Sequence, residues 1–162
     1  MKRAVTLVPL ADRDALVREQ IANYAEEHIR DAGWPRSEAL ERARTEFLPE
    51  LERELAEAAE EGHDVWSAAD EDGATVGWLW VRPSGPRSAF LYQITVAESC
   101  RRLGYGRAML AALEEWLARE GVDEVLLHVN VGNVPARRLY AAAGYEQLDD
   151  DARVCRLRKR LA

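Results

Sequence analysis

Between Arg101 and Arg107 the chain reads RRLGYGR, three arginines and two spaced glycines ahead of an apolar-periodic run. Gly104 and Gly106 remove side chains where another group must approach the backbone, and Arg101, Arg102 and Arg107 gather positive charge at the same place. The chemistry suited to that pattern is anion binding. Spacing rejects two familiar phosphate loops. A dinucleotide fingerprint needs glycine or alanine three places beyond Gly106, where Met109 stands. A nucleoside-triphosphate loop needs Gly-Lys-Ser/Thr, whereas Arg107 and Ala108 follow Gly106. What remains is Arg-x-x-Gly-x-Gly opening a helix, whose unpaired first-turn amides and positive dipole end accept phosphate oxygens. Each such interaction contributes about 0.3–1 kcal/mol when exposed and up to ~2 when partly buried, so several must act together. Taken alone, the six residues also suit a tight strand-to-helix turn with solvated arginines.

The elements around this stretch must aim it. Thr6 to Val8 reads as a first strand, and Val17, Ile21, Tyr24 and His28 recur at helical spacing up to a stop at Gly33. Ser37 can cap a second helix carrying Leu40, Ala43, Phe47, Leu51 and Leu55 on one face, which Pro49 kinks or divides. Val65 to Ala69 and Thr75 to Val81 flank Asp72-Gly73 as a hairpin, with Val76, Trp78 and Trp80 on one face. Phe90, Tyr92, Ile94 and Val96 alternate along a strand that runs directly into the arginine-glycine turn. Met109, Leu113, Trp116 and Leu117 form a helical stripe ending at Gly121. Val125, Leu127 and Val129 make another strand. Asn133 can cap a short helix with Pro135 in its first turn and Gly144 after its end. Strands at Tyr145 to Leu148 and Arg153 to Arg158 complete the order β-α-α-β-β-β-α-β-α-β-β, an α/β class with a mostly antiparallel sheet and one crossover.

Composition bounds the rest. With 162 residues, 48% of them apolar, the chain suits a single domain over 1–162 burying roughly two-thirds of its unfolded surface. No apolar run approaches the ~20 residues of a membrane span, so a soluble, cytoplasmic protein without membrane association is expected. Cys100 and Cys155 lack Cys or His neighbours at ligand spacing, so neither a disulfide nor a metal site is expected. A net charge of −7 argues against nucleic-acid binding and leaves any anionic ligand to a local basic loop and its amides.

The run YQITVAESCRRLGYGRAML, followed by LLHVNVGNVPARRLYAAAGYE, resembles the acyl-CoA-binding core of the GNAT superfamily of N-acetyltransferases. The first part is similar to that family's Q/R-x-x-G-x-G/A pyrophosphate loop. The second is similar to its strand, Asn, helix, Leu-Tyr and Gly-aromatic succession, here Val129, Asn133, Leu139, Tyr140, Gly144 and Tyr145. The likeness is strong from about Phe90 to Glu146. Glu98 stands where the family often has proline, and Arg102 where it often has glycine.

The resemblance implies a GNAT-like fold whose central strands splay, with acetyl-CoA as co-substrate and no metal. Its pyrophosphate would lie on Arg101, Arg102, Leu103, Gly104, Tyr105, Gly106 and Arg107, and its pantetheine arm along Ile94, Thr95 and Val96. Asn133 would bind the arm or only cap its helix. A backbone amide, that of Val96, would face the thioester oxygen, and Tyr140 would supply a proton or hydrogen bond to the departing thiolate. The implied reaction is acetyl transfer to a primary amine, on a small molecule or a peptide, by direct attack in a ternary complex. A non-catalytic acyl-CoA sensor is the alternative, and the resemblance leaves a homodimer open. Glu98, Tyr92, Glu46 and Glu50 are candidate proton sinks for the amine. Glu50, Glu54, Glu57 and Glu61 form either a cation-attracting row or a solvated helix face.

Overall fold

The computed structural model describes residues 2–10 and 12–161, and the chain divides into two compact units, Leu10–Gly62 and a second comprising Met1–Pro9 with His63–Ala162. The element order agrees with the sequence reading. Strand β1 (Thr6–Pro9) is followed by helices α1 (Arg13–Ala32), α2 (Arg36–Arg42) and α3 (Leu48–Ala58). Then come β2 (Asp64–Ala69), β3 (Thr75–Gly85), β4 (Ser88–Val96), α4 (Tyr105–Arg119), β5 (Glu124–Asn130), α5 (Val134–Ala142), β6 (Glu146–Asp150) and β7 (Val154–Arg160).

In the helical unit, Asp12 caps α1 by accepting from the Ala15 amide at 2.9 Å, and Gly33 ends it in a left-handed conformation. The second helix begins at Arg36 with Pro35 as its N-cap, not at the expected Ser37 cap, and no side chain closes its first turn. The break expected at Pro49 takes the form of a π-turn, Ala43–Phe47, in which the Leu48 amide reaches back to the Ala43 carbonyl. Proline lacks a donor and its ring collides with the carbonyl four residues earlier, so widening the preceding turn lets the chain continue into α3. Tyr24 stacks on Phe47 at 4.6 Å, His28 lies 4.4 Å from Trp34, and the Arg42 guanidinium covers the Trp34 ring at 4.4 Å.

The other unit is built on one seven-stranded sheet in the order β1-β2-β3-β4-β5-β7-β6. Among the described residues, only the β4–β5 pair is parallel. The β2–β3 turn is held by the Asp70 carboxylate, which accepts from the Asp72 and Ala74 amides at 2.9 Å each, with Gly73 at φ +84°. Met109, Leu110, Leu113 and Leu117 of α4 share a core with Leu79, Val81, Leu91, Val125 and Leu127 of the sheet. The expected one-sided β3 is buried on both faces from Val76 to Val81. On β4 the deepest residues are Ala89, Leu91 and Thr95, while Phe90, Ile94 and Val96 are half-buried and Tyr92 is exposed. No helix among the described residues is long and apolar enough to cross a membrane.

Candidate active site

Strands β4 and β5 pair only from Ser88↔Glu124 to Leu91↔Leu127. Beyond that point β4 stays on β3 through Gly77↔Val96, and β5 stays on β7 through Asn130↔Val154, so the two neighbours part toward their C-terminal ends. Past Leu91 the wedge side of β4 has no ladder partner on β5. The Ala97 amide bonds to the Val76 carbonyl at 2.8 Å, and in an antiparallel ladder alternate residues turn their main chain to the same partner. Thr95 therefore faces β3, opposite Trp78, whereas Ile94 and Val96 present N–H and C=O groups to the wedge. Of the three residues expected along the pantetheine arm, Thr95 is turned away, with its side chain buried.

The chain leaves β4 through a single 3-10 turn, Glu98–Cys100, and enters α4 through the arginine-glycine loop. Arg102 at φ +60° and Gly104 at φ +88° are both left-handed. The Arg101 amide is used internally, on the Glu98 carbonyl at 3.3 Å. Among the described residues, no backbone carbonyl accepts from the amides of Arg102, Leu103 or Gly104. Those of Tyr105, Gly106 and Arg107 precede the first bond of the helix, from the Ala108 amide to the Gly104 carbonyl at 3.3 Å. Alternating left-handed residues beside a helix start make a concave run of donors that suits an anion. The side chain of Arg101 departs from the expectation: its Nε donates to the Val96 carbonyl at 3.2 Å, so one donor goes to the strand edge.

Gly106 sits where three elements come close. A Cβ on it would lie 3.3 Å from Leu139 Cδ2 and 3.6 Å from Val96 Cγ2, so the end of β4, the start of α4 and the middle of α5 meet at this glycine. Helix α5 is started by Asn133, whose Oδ1 accepts from the Ala136 amide at 3.2 Å. One residue past Leu139, Tyr140 is 6% exposed, with its ring edge-on to Tyr145 at 5.6 Å. Burial pushes the Tyr140 phenol up to about 12, because the phenolate would lose its hydration. It stays protonated at any working pH.

Several other candidates are placed elsewhere. Arg53 bonds both Glu50 and Glu57, and holds the Glu50 carboxyl below the usual carboxylate range, which makes it a weaker base. The acidic row on α3 is thus partly neutralised within its own helix. Glu98 and Tyr92 are exposed, at the exit and in the middle of β4. His63 accepts from the Trp80 indole at 3.1 Å, and Cys155 is buried in the core. A cavity of about 770 Å³ beside α4 is lined by Lys2, Arg3, Gly104, Arg107, Glu114 and Lys159 among others; it meets the loop but not Tyr140 or Val96, so it is not the wedge. Sequence reasoning did not foresee Arg3, which donates from Nε to the Leu103 carbonyl at 3.0 Å and lies over the Tyr105 ring at 5.1 Å. No local sequence signal marks a contact across that separation.

A family model described as the acetyltransferase (GNAT) family matches residues 22–145. An uncharacterized N-acetyltransferase of Bacillus subtilis, YycN, is 32% identical over 130 residues, covering 78% of this chain and 81% of the relative. An aminoglycoside N(6′)-acetyltransferase type 1 of Serratia marcescens is 32% identical over 129 residues, covering 75% of this chain and 83% of the relative. Among solved structures, the spermidine N-acetyltransferase of Vibrio cholerae in complex with CoA and spermine superposes with a TM-score of 0.72 at 18% identity, covering 97% of this chain and 95% of that one.

Proposed function

We propose that this chain, which belongs to the GNAT family and is an acetyl-CoA-dependent N-acetyltransferase, acetylates a primary amine of a small molecule by direct attack in a ternary complex, as one domain over 1–162. The observation that carries the reading is the parting of β4 from β5 after Leu91↔Leu127, directly ahead of a loop in which no backbone carbonyl accepts from the amides of Arg102, Leu103 and Gly104 among the described residues. Acetyl-CoA supplies the activated acetyl thioester.

The chain's residues divide the work. Amides from Arg102 to Arg107 receive the diphosphate oxygens, with the Arg102 and Arg107 side chains adding charge. Ile94 pairs with the amides of the cofactor arm as an added strand would, while the Val96 carbonyl already accepts from Arg101. The Val96 N–H points at the thioester oxygen, where negative charge grows during attack. Asn133 uses Oδ1 for its cap, which leaves Nδ2 to donate to the arm. Tyr140 donates a hydrogen bond to the departing sulfur. With the phenol at about 12 and an ordinary thiol near ~8.5, complete proton transfer from Tyr140 is uphill by several kcal/mol, so the hydrogen bond is its contribution. The proton that finally rests on sulfur comes from the attacking nitrogen. An amine of pKa about 10.4 is neutral in fewer than ~1 molecule in 1,000 at pH 7, so the acceptor must lose its first proton to solvent or a nearby base before attack.

Small-molecule amines are favoured by the aminoglycoside acetyltransferase relative and by the spermine-bound structural neighbour. The test is mass spectrometry of the purified chain with acetyl-CoA and a panel of polyamines, amino sugars and peptides. Acetylated polyamine or amino sugar is expected. Product confined to the peptides refutes the acceptor class, and binding without any product refutes the transferase reading.

A further inference from the structure

We propose that Arg3 is a positioning residue for the diphosphate loop, acting through the Leu103–Gly104 peptide; this rests on the coenzyme A reading of residues 101–107. Arg3 precedes β1 and is exposed, yet its side chain reaches the loop. Its Nε donates to the Leu103 carbonyl at 3.0 Å, its guanidinium lies over the Tyr105 ring at 5.1 Å, and its Cγ is 3.5 Å from where a Gly104 Cβ would stand.

The consequence follows from peptide geometry. In a trans peptide the carbonyl and the N–H point in opposite directions, and the chain has no cis bond among its described residues. Holding the Leu103 oxygen toward Arg3 therefore aims the Gly104 N–H away from Arg3. Nothing else restrains that plane by side-chain bulk, because Gly104 at φ +88° can swing to negative φ at little steric cost. A flip of this one peptide would remove the Gly104 donor from the concave set and turn an electronegative oxygen into it. Arg3 opposes the flip, so the loop meets its ligand with the ordering already done. Tyr105, the first residue of α4, offers its ring to the guanidinium, whose carbon lies 5.1 Å from the ring centre.

The experiment uses the full chain and titration calorimetry with coenzyme A and with dephospho-coenzyme A, which keeps the diphosphate but lacks the 3′-phosphate. Arg3→Ala is expected to raise Kd for both ligands by the same factor, about fivefold. In turnover, KM for acetyl-CoA rises by about that factor while kcat changes less than twofold. Arg3→Lys keeps the charge but cannot bond Leu103 while lying over Tyr105, and recovers less than half of the logarithmic loss. Equal affinity in Arg3→Ala and the unsubstituted chain overturns the proposal. A loss confined to coenzyme A overturns it too, since that would mark a direct 3′-phosphate contact, and full rescue by lysine would show that charge alone matters. Failure of the unsubstituted chain to bind either ligand overturns the underlying reading instead.

Discussion

Arg102→Gly should stabilise the protein although it deletes a long side chain and touches no core residue. Arg102 holds φ +60°, a region that costs a residue bearing a Cβ about 1–2 kcal/mol and costs glycine almost nothing. Against this, glycine adds freedom to the unfolded chain, about 0.4–1 kcal/mol. The side chain is exposed, so its loss creates no cavity. The net gain lies between about 0 and 1.6 kcal/mol and is about 0.8 at the centre of both ranges, which at this chain length raises the thermal midpoint by roughly 2–3 °C. Arg102→Ala is the control, because it removes the same charge and keeps the positive φ. Both variants should bind coenzyme A two- to fivefold more weakly, through loss of one exposed cation worth about 0.3–1 kcal/mol at a helix start. Differential scanning calorimetry of the three proteins separates the terms. A glycine variant no more stable than the alanine variant would refute the claim that backbone strain is stored here.

Tyr140→Phe should lower kcat at least tenfold with the KM for acetyl-CoA within twofold, by initial-rate assay, since phenylalanine fills the buried site and lacks only the donor. Because burial raises the phenol to about 12 and the neutral form is the donor, its contribution is present throughout the neutral range and lost only as pH rises toward that value. The rate ratio of the unsubstituted chain to Tyr140→Phe should therefore be flat from pH 7 to 10. Asn133→Ala should cost about 1 kcal/mol in urea unfolding, whereas Asn133→Asp should preserve the cap and still weaken coenzyme A binding, because it deletes Nδ2 and adds a negative charge. Gly77→Ala should destabilise by about 2–3 kcal/mol, since its Cβ would overlap the Thr95 carbonyl and approach Met109 Sδ to 2.8 Å.

The parts of the site legible in the sequence are those that backbone geometry forces on residue type. Gly104 must accept positive φ, Gly106 must leave room for Leu139, and Asn133 must supply an acceptor to a helix start, so each leaves a local mark. Pro49 left a mark too, but several backbone routes pass a proline, and the π-turn is only one of them. Pairing and burial are set elsewhere in the chain. Ala89 and Leu91, not the bulkier Phe90 and Tyr92, face the core of β4. The end of the β4–β5 ladder depends on both partners, so no residue in either strand announces it. The Arg101 bond to Val96 and the Arg3 bond to Leu103 depend on where the folded chain brings an arginine, which composition cannot specify.

A chain of net charge −7 that binds a polyanion needs its attraction to be local, and the two kinds of donor differ in how they achieve that. Arginines act through a field that salt screens within about 8 Å at physiological strength, so under the proposed reading Arg102 and Arg107 would act at the loop while distant carboxylates would hardly register. Backbone amides act by contact, carry no net charge, and keep their strength only if their peptide planes are held. At this loop two arginine side chains donate to main-chain carbonyls, Arg101 to that of Val96 and Arg3 to that of Leu103. On this argument their value lies less in attracting the anion than in aiming the donors that grip it, and substitution at these positions should alter the geometry of the amides before it alters the charge of the loop.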